Sequence, residues 1–190
     1  RLIYSGDTGV VARLDAANGS VAWISILKPP AATGPVCSLP NDNSGLVLVT
    51  DGRQGLAALD IEDGHTAWSR QLPGGIEHLI TVRDGRAIVS GHSLFALDVH
   101  SGRIAWQRRT RQQHQFGHGR GLVAGGVVYW PTRELLHLIE FDSGQPLRQP
   151  VRLDVRGCQG GNLMLSQQKL VICGSGQITV LGPFAGLLPK

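Results

Sequence analysis

Long apolar runs are missing from this 190-residue sequence. No stretch approaches the roughly 18 residues that a membrane-crossing helix needs, which excludes a helical span. Charge is scarce: 17% of residues are charged and 42% hydrophobic, a balance at which chains collapse rather than stay disordered. The three cysteines, Cys37, Cys158 and Cys173, form neither an adjacent pair nor a C-x-x-C, so the usual metal and redox spacings are absent. One bridge, such as Cys158 to Cys173, and free buried thiols both stay open. Lysine is nearly absent, with Lys28, Lys169 and Lys190 the only ones among 18 basic residues. A formal net charge of +4 is weak support for a polyanionic partner. The sequence opens at Arg1 inside a strand-like run, without an initiator Met or a signal peptide. Its natural start is therefore expected upstream, and the compartment stays open.

What is plentiful is glycine, 26 residues, alongside 10 prolines. Without a G-X-Y period this abundance excludes collagen and points to many tight turns between short strands. Length suits one domain or a piece of a larger one. The expected class is soluble and all-β.

Internal repetition decides the architecture. Three stretches superpose without a gap: Arg13–Trp23, Ala58–Trp68 and Ala96–Trp106. Each runs from Leu through Asp, three further residues and Gly to Trp: Asp15, Gly19 and Trp23; Asp60, Gly64 and Trp68; Asp98, Gly102 and Trp106. A fourth stretch, Leu138–Arg148, keeps Glu140 and Gly144 but has Arg148 at the Trp position. The four acids are spaced by 45, 38 and 42 residues, and a period near 40 is one four-stranded propeller blade. Ile178–Leu181 reads as the start of a fifth copy. The copies lie around residues 1–27, 35–72, 76–110, 119–153 and 161–190 of a single partial propeller domain.

Each copy reads as a hairpin whose turn has the chemistry of a type I turn closed by a left-handed Gly, a G1 bulge. The acid can accept backbone amides across the turn, and the Gly supplies positive φ. Four strands are expected in each of the three interior units. The first unit lacks its opening strand and the last its closing one. The Trp of each copy is expected to lie flat against the neighbouring blade as packing rather than as a substrate platform. At Arg148 that contact is either remade by a stacked guanidinium or weaker.

These residues resemble the tryptophan-docking motif, A-x-D-x-x-T-G-x-x-x-W, of the PQQ-like (pyrroloquinoline quinone) propeller repeat family. Ala58–Trp68 and Ala96–Trp106 match it most closely, with Asp63 and Ser101 at the usual Thr position and Arg13 replacing Ala in the first copy. WD and Kelch signatures fit less well. The family usually forms eight-bladed rings, so the resemblance implies that four to five blades are a fragment. Two exposed blade faces would then call for missing blades or self-association.

The resemblance implies two functional readings. Non-catalytic members serve as rigid extracytoplasmic platforms for other proteins, including in outer-membrane assembly. On that reading no cofactor is expected, the location is periplasmic or equivalent, and the unequal connections form the binding surface. The alternative is part of a dehydrogenase for alcohols or sugars that holds PQQ and Ca²⁺ with an Asp base and Glu and Asn ligands. The acids outside the turns (Asp7, Asp42, Asp51, Glu77, Asp84, Glu134 and Asp154) form no such cluster in sequence, so the reading leans away from an enzyme.

Other features weigh less. Val99–Arg133 contains no acid, and Arg108, Arg109, Arg111 and Arg120 could form an anion-binding strip. They equally suit an outer strand kept charged against edge pairing. No aromatics interleave with them as base stacking requires, so no nucleic acid partner is expected. His114 and His118 lack a third metal ligand. Gly157–Gly161 and Gly174–Gly176 are followed by no helix, so they read as turns, not phosphate cradles.

Overall fold

The computed structural model describes residues 2–6, 8–28, 36–37, 45–51, 53–109 and 116–182. Asp7, Asp42, Arg111 and His114 lie outside the described residues. Among the described residues, short alternating runs separated by Gly-rich turns become 18 strands, with one 3-10 turn at Asp154–Arg156. The first sheet contains β1 (Leu2–Ser5), β2 (Val10–Leu14) and β3 (Val21–Ile26). The second contains β4 (Val36–Cys37), β5 (Leu46–Thr50), β6 (Gly55–Asp60) and β7 (Thr66–Gln71). The third contains β8 (His78–Arg83), β9 (Arg86–Ser90), β10 (Ser93–Asp98) and β11 (Ile104–Arg109). The fourth contains β12 (Leu122–Ala124), β13 (Val127–Pro131), β14 (Leu135–Glu140) and β15 (Val151–Arg152). The fifth contains β16 (Asn162–Ser166), β17 (Lys169–Gly174) and β18 (Gln177–Leu181).

Within every sheet the strands are hydrogen-bonded in chain order, and each pair whose register is known is antiparallel. Three interior sheets have four strands and the two terminal ones three. These are the blades of a partial β-propeller of the kind the repeats specify.

The residues group into two units, 1–89 with 96–105 and 90–95 with 106–190. In the first unit, Val11 and Trp23 of the first sheet pack with Val47, Val49 and Leu59 of the second. In the second unit, Val127, Tyr129, Leu136 and Leu138 of the fourth sheet pack with Leu170 and Ile172 of the fifth. Strand alternation explains both clusters. In the first sheet Ile3, Val11 and Trp23 share one face, while Leu2, Tyr4, Ile24 and Ile26 share the other.

Candidate functional site

The four acids of the repeat are held by their own turns. In every copy the Gly amide donates to the acid's carbonyl, and the acid's amide donates to the carbonyl five residues on. Gly19, Gly64, Gly102 and Gly144 have φ of 73°, 76°, 64° and 68°, the left-handed conformation that closes this turn. Side chains complete the cap. Asp15 accepts from the Ala17 amide at 2.8 Å and Asp60 from the Glu62 amide at 2.7 Å. Asp98 accepts from both the amide and the hydroxyl of Ser101, at 2.8 and 2.6 Å. The Ser101 hydroxyl, with its amide, holds the Asp98 carboxyl below the usual range against the cost of burial. Glu140 accepts from the Ser143 hydroxyl.

The three indoles lie over the turn glycines of the following copy. A Cβ at Gly64 would fall 2.5 Å from Trp23, one at Gly102 2.6 Å from Trp68, and one at Gly144 2.5 Å from Trp106. Each ring nitrogen donates to the carbonyl of the residue after the acid: Trp23 to Ile61 at 3.0 Å, Trp68 to Val99 at 2.8 Å, Trp106 to Phe141 at 3.0 Å. Aromatic burial and a satisfied indole N–H thus arrive together. The residue after the acid was not singled out in the sequence, because a backbone acceptor leaves no side-chain signature. Gly19 has the same φ, and nothing lies within 4 Å of the Cβ it lacks.

Two arginines belong to these junctions. Arg13, the departure from the family's Ala, donates to Ile61 O at 2.9 Å and pairs with Glu62 at 2.7 Å. Arg108 donates to the Gly144 carbonyl and, at 2.8 Å, to Gln145 Oε1. It therefore buttresses the fourth turn. Arg109 is exposed at the end of β11, and Arg120 is exposed just before β12.

The fourth copy departs from the rest. Pro146 bridges to Ile139, and β15 then pairs only Val151 with Leu136 and Arg152 with Leu135. Leu147 still donates its amide to Leu138 O at 2.9 Å, and residues 148–150 beyond it leave the ladder and are largely exposed. Leu153 and Cys158, both buried, join the apolar cluster of this region. The exposure of Arg148 agrees with the weaker of the two contacts expected for it. Cys158 and Cys173 are free thiols, and burial raises the Cys158 pKa. Gly160 and Gly161 are more than turn formers: a Cβ on either would strike the carbonyls of Thr132 or Cys173.

Cavities accompany the sheets. In the first unit one of about 270 Å³ is lined by Ile26, Thr50, Asp51, Thr66, Arg70 and Gln71, among others. The Asp51 carboxylate inside it is committed to the amides of Arg53, Gln54 and Gly55, at 2.8–3.0 Å. In the second unit a cavity of about 70 Å³ is lined by His118, Gln159, Ser175, Gln177 and Thr179, with their neighbours. Among the described residues no three His, Cys, Asp or Glu side chains converge as a metal site would require.

Among the described residues, apolar side chains are exposed on one face of each terminal sheet. On the first, Leu2, Tyr4, Ile24 and Ile26 are exposed, Ile26 to 66%. On the fifth, Met164, Ile178 and Val180 are exposed, Ile178 to 73%. Apolar side chains grouped on one sheet face are what the next blade of a propeller packs against.

Residues 7–177 match the family described as outer membrane protein assembly factor BamB. The chain belongs to the BamB family. The BamB structure from Moraxella catarrhalis superposes with a TM-score of 0.76 at 20% identity, covering 96% of this chain and 55% of that one. The chain thus spans about half the length of that BamB. The computationally designed Ika8 protein superposes with a TM-score of 0.71 at 12% identity, covering 94% of this chain and 54% of that one. A quinohemoprotein alcohol dehydrogenase, ADHIIG from Pseudomonas putida HK5, has a TM-score of 0.54 at 17% identity, covering 67% of this chain and 26% of that one. At these identities the three structures share a fold with the chain. No curated protein sequence matches it. Among the described residues of this BamB-family chain, no helix is long and apolar enough to cross a membrane.

Proposed function

We propose that this chain is a non-enzymatic propeller scaffold that binds other proteins, in the extracytoplasmic setting of outer membrane protein assembly. The observation that carries the reading is where the reactive-looking residues are used. Asp15, Asp60, Asp98 and Glu140 close their own turns, Arg13 and Arg108 brace neighbouring turns, and the indoles fill glycine sockets. The connections carry exposed apolar side chains, Phe116, Leu147 and Val155, the material of protein interfaces. Membership of the BamB family supports partners in the outer membrane assembly machinery and a periplasmic location.

The test is photo-crosslinking in cells from positions Phe116, Leu147 and Val155 of the native protein, exposed apolar residues of the connections, with exposed Arg109 as a comparison. Crosslinks from the three apolar positions to proteins of outer membrane assembly, exceeding those from Arg109, are expected. Titration of the same protein with PQQ, with and without Ca²⁺, is expected to leave its Trp fluorescence unchanged. Saturable Ca²⁺-dependent quenching would overturn the scaffold in favour of a quinone-dependent dehydrogenase.

A further inference from the structure

Among the described residues, Ser90 Oγ, Trp130 Nε1 and His137 Nε2 are buried side-chain atoms that have no hydrogen-bond partner. All three belong to the second unit. Trp130 and His137 are cross-strand partners of β13 and β14, their ring centroids 5.3 Å apart and tilted by 38°. Gly117 locates the third group. Its amide donates to Gly91 O at 3.1 Å. The Cβ that it lacks would lie 2.8 Å from that carbonyl and 2.9 Å from Trp130 Nε1. The polar edge of the indole therefore sits beside the turn that Ser90 opens. Ser90 and Trp130 are each 1% exposed, so bulk water does not serve them.

Orphaned buried polar atoms are rare in folded proteins, and neighbouring ones rarer. Buried waters commonly answer them, each making about three hydrogen bonds. The chemistry of the three groups is complementary to one such molecule. An indole N–H can only donate. A neutral imidazole accepts at one nitrogen, and a hydroxyl does both. Burial keeps His137 neutral by lowering its pKa to about 4, so its acceptor lone pair persists at ordinary pH.

We propose that Ser90, Trp130 and His137 form a binding site for a single buried water that ties the β9–β10 turn to the fourth sheet. The water accepts from Trp130 Nε1–H, donates one hydrogen to His137 Nε2, and bonds the Ser90 hydroxyl. His137 carries its proton on Nδ1.

Two measurements on the native chain test this. Crystals diffracting well enough to order solvent should show a density peak within hydrogen-bond reach of all three atoms, and nitrogen-15 NMR should report the Nδ1-protonated tautomer of His137. Ser90→Ala should then raise the unfolding equilibrium constant about five- to tenfold, the usual effect of deleting one partner of a buried hydrogen bond. A dry site, the Nε2-protonated tautomer, or a Ser90→Ala variant as stable as the parent or more so would overturn the proposal. Deleting a truly orphaned hydroxyl removes a cost rather than a bond. The solvent peak and the tautomer are read on the unmutated chain, so they stand even if the variant folds poorly.

Discussion

Trp68 and Arg148 occupy the same position of the repeat, eight residues after the acid that opens the turn, and their surroundings differ completely. Trp68 lies on Gly102 with its N–H on Val99 O. Arg148 sits exposed in a stretch that has left the ladder, and Leu153 and Cys158 supply the buried apolar volume of that region. The turn preceding each is nonetheless the same: Gly64 and Gly144 donate to Asp60 and Glu140 alike. Turn and socket are therefore separable devices. The turn depends on an acid and a left-handed glycine a few residues apart. The socket depends on an indole from another copy.

The largest expected effect comes from emptying a socket. Trp68→Ala should destabilise the chain by about 3–5 kcal/mol through lost packing and cavity formation. In the fourth copy the effect should sit elsewhere: Leu153→Ala should cost about 2–4 kcal/mol and Arg148→Ala less than about 0.5 kcal/mol. Urea unfolding measures all three. A costly Arg148→Ala with a silent Leu153→Ala would break the comparison.

Acid should weaken the fourth copy through His137. Its folded pKa of about 4 lies below the ordinary 6.5 because burial disfavours the cation. The unfolded chain therefore takes up the proton first as pH falls. Stability is full above about 6.5, declines as pH drops towards 4, and has lost on the order of 3 kcal/mol by the end of that window. The lowered carboxylates Asp98 and Asp63 have an ordinary value of 3.8 and contribute at lower pH. Unfolding midpoints measured from pH 7 to 4 should slope in the native chain and flatten in His137→Leu. Equal slopes would remove His137 from the account.

A smaller effect separates turn from socket directly. Gly19 and Gly102 share the left-handed conformation, but only Gly102 has an indole against it. Alanine at Gly19 should cost about 1–2 kcal/mol, the backbone strain alone. Alanine at Gly102 should cost about 1–2 kcal/mol more, because its Cβ must displace Trp68. Indistinguishable melting of the two variants would mean that the indole yields without loss.

Much of the fold was legible in the chain. Strand alternation and turn chemistry act over a few residues, and repeating them every 40 or so residues exposes them to inspection. Asp98, Ser101 and Gly102 announce their turn because every group in it lies within five residues. The partners of the indoles were legible in kind but not in atom, since the acceptor is a main-chain carbonyl on another sheet. The same limit hid the roles of Arg13 and Arg108, which read as a repeat irregularity and part of a basic strip. Both are defined by carbonyls many residues away.

By itself, then, the sequence determined the blades, their turns and the interval between them, because those follow from local backbone chemistry repeated along the chain. Only the tertiary structure decided that Leu153 and Cys158 join the apolar cluster of the fourth and fifth sheets, and that Gly160 and Gly161 are crossing points of the main chain. It also brought Ser90, Trp130 and His137 together around unmet hydrogen bonds. Burial and hydrogen-bond satisfaction depend on what lies opposite in space, and no local pattern encodes that.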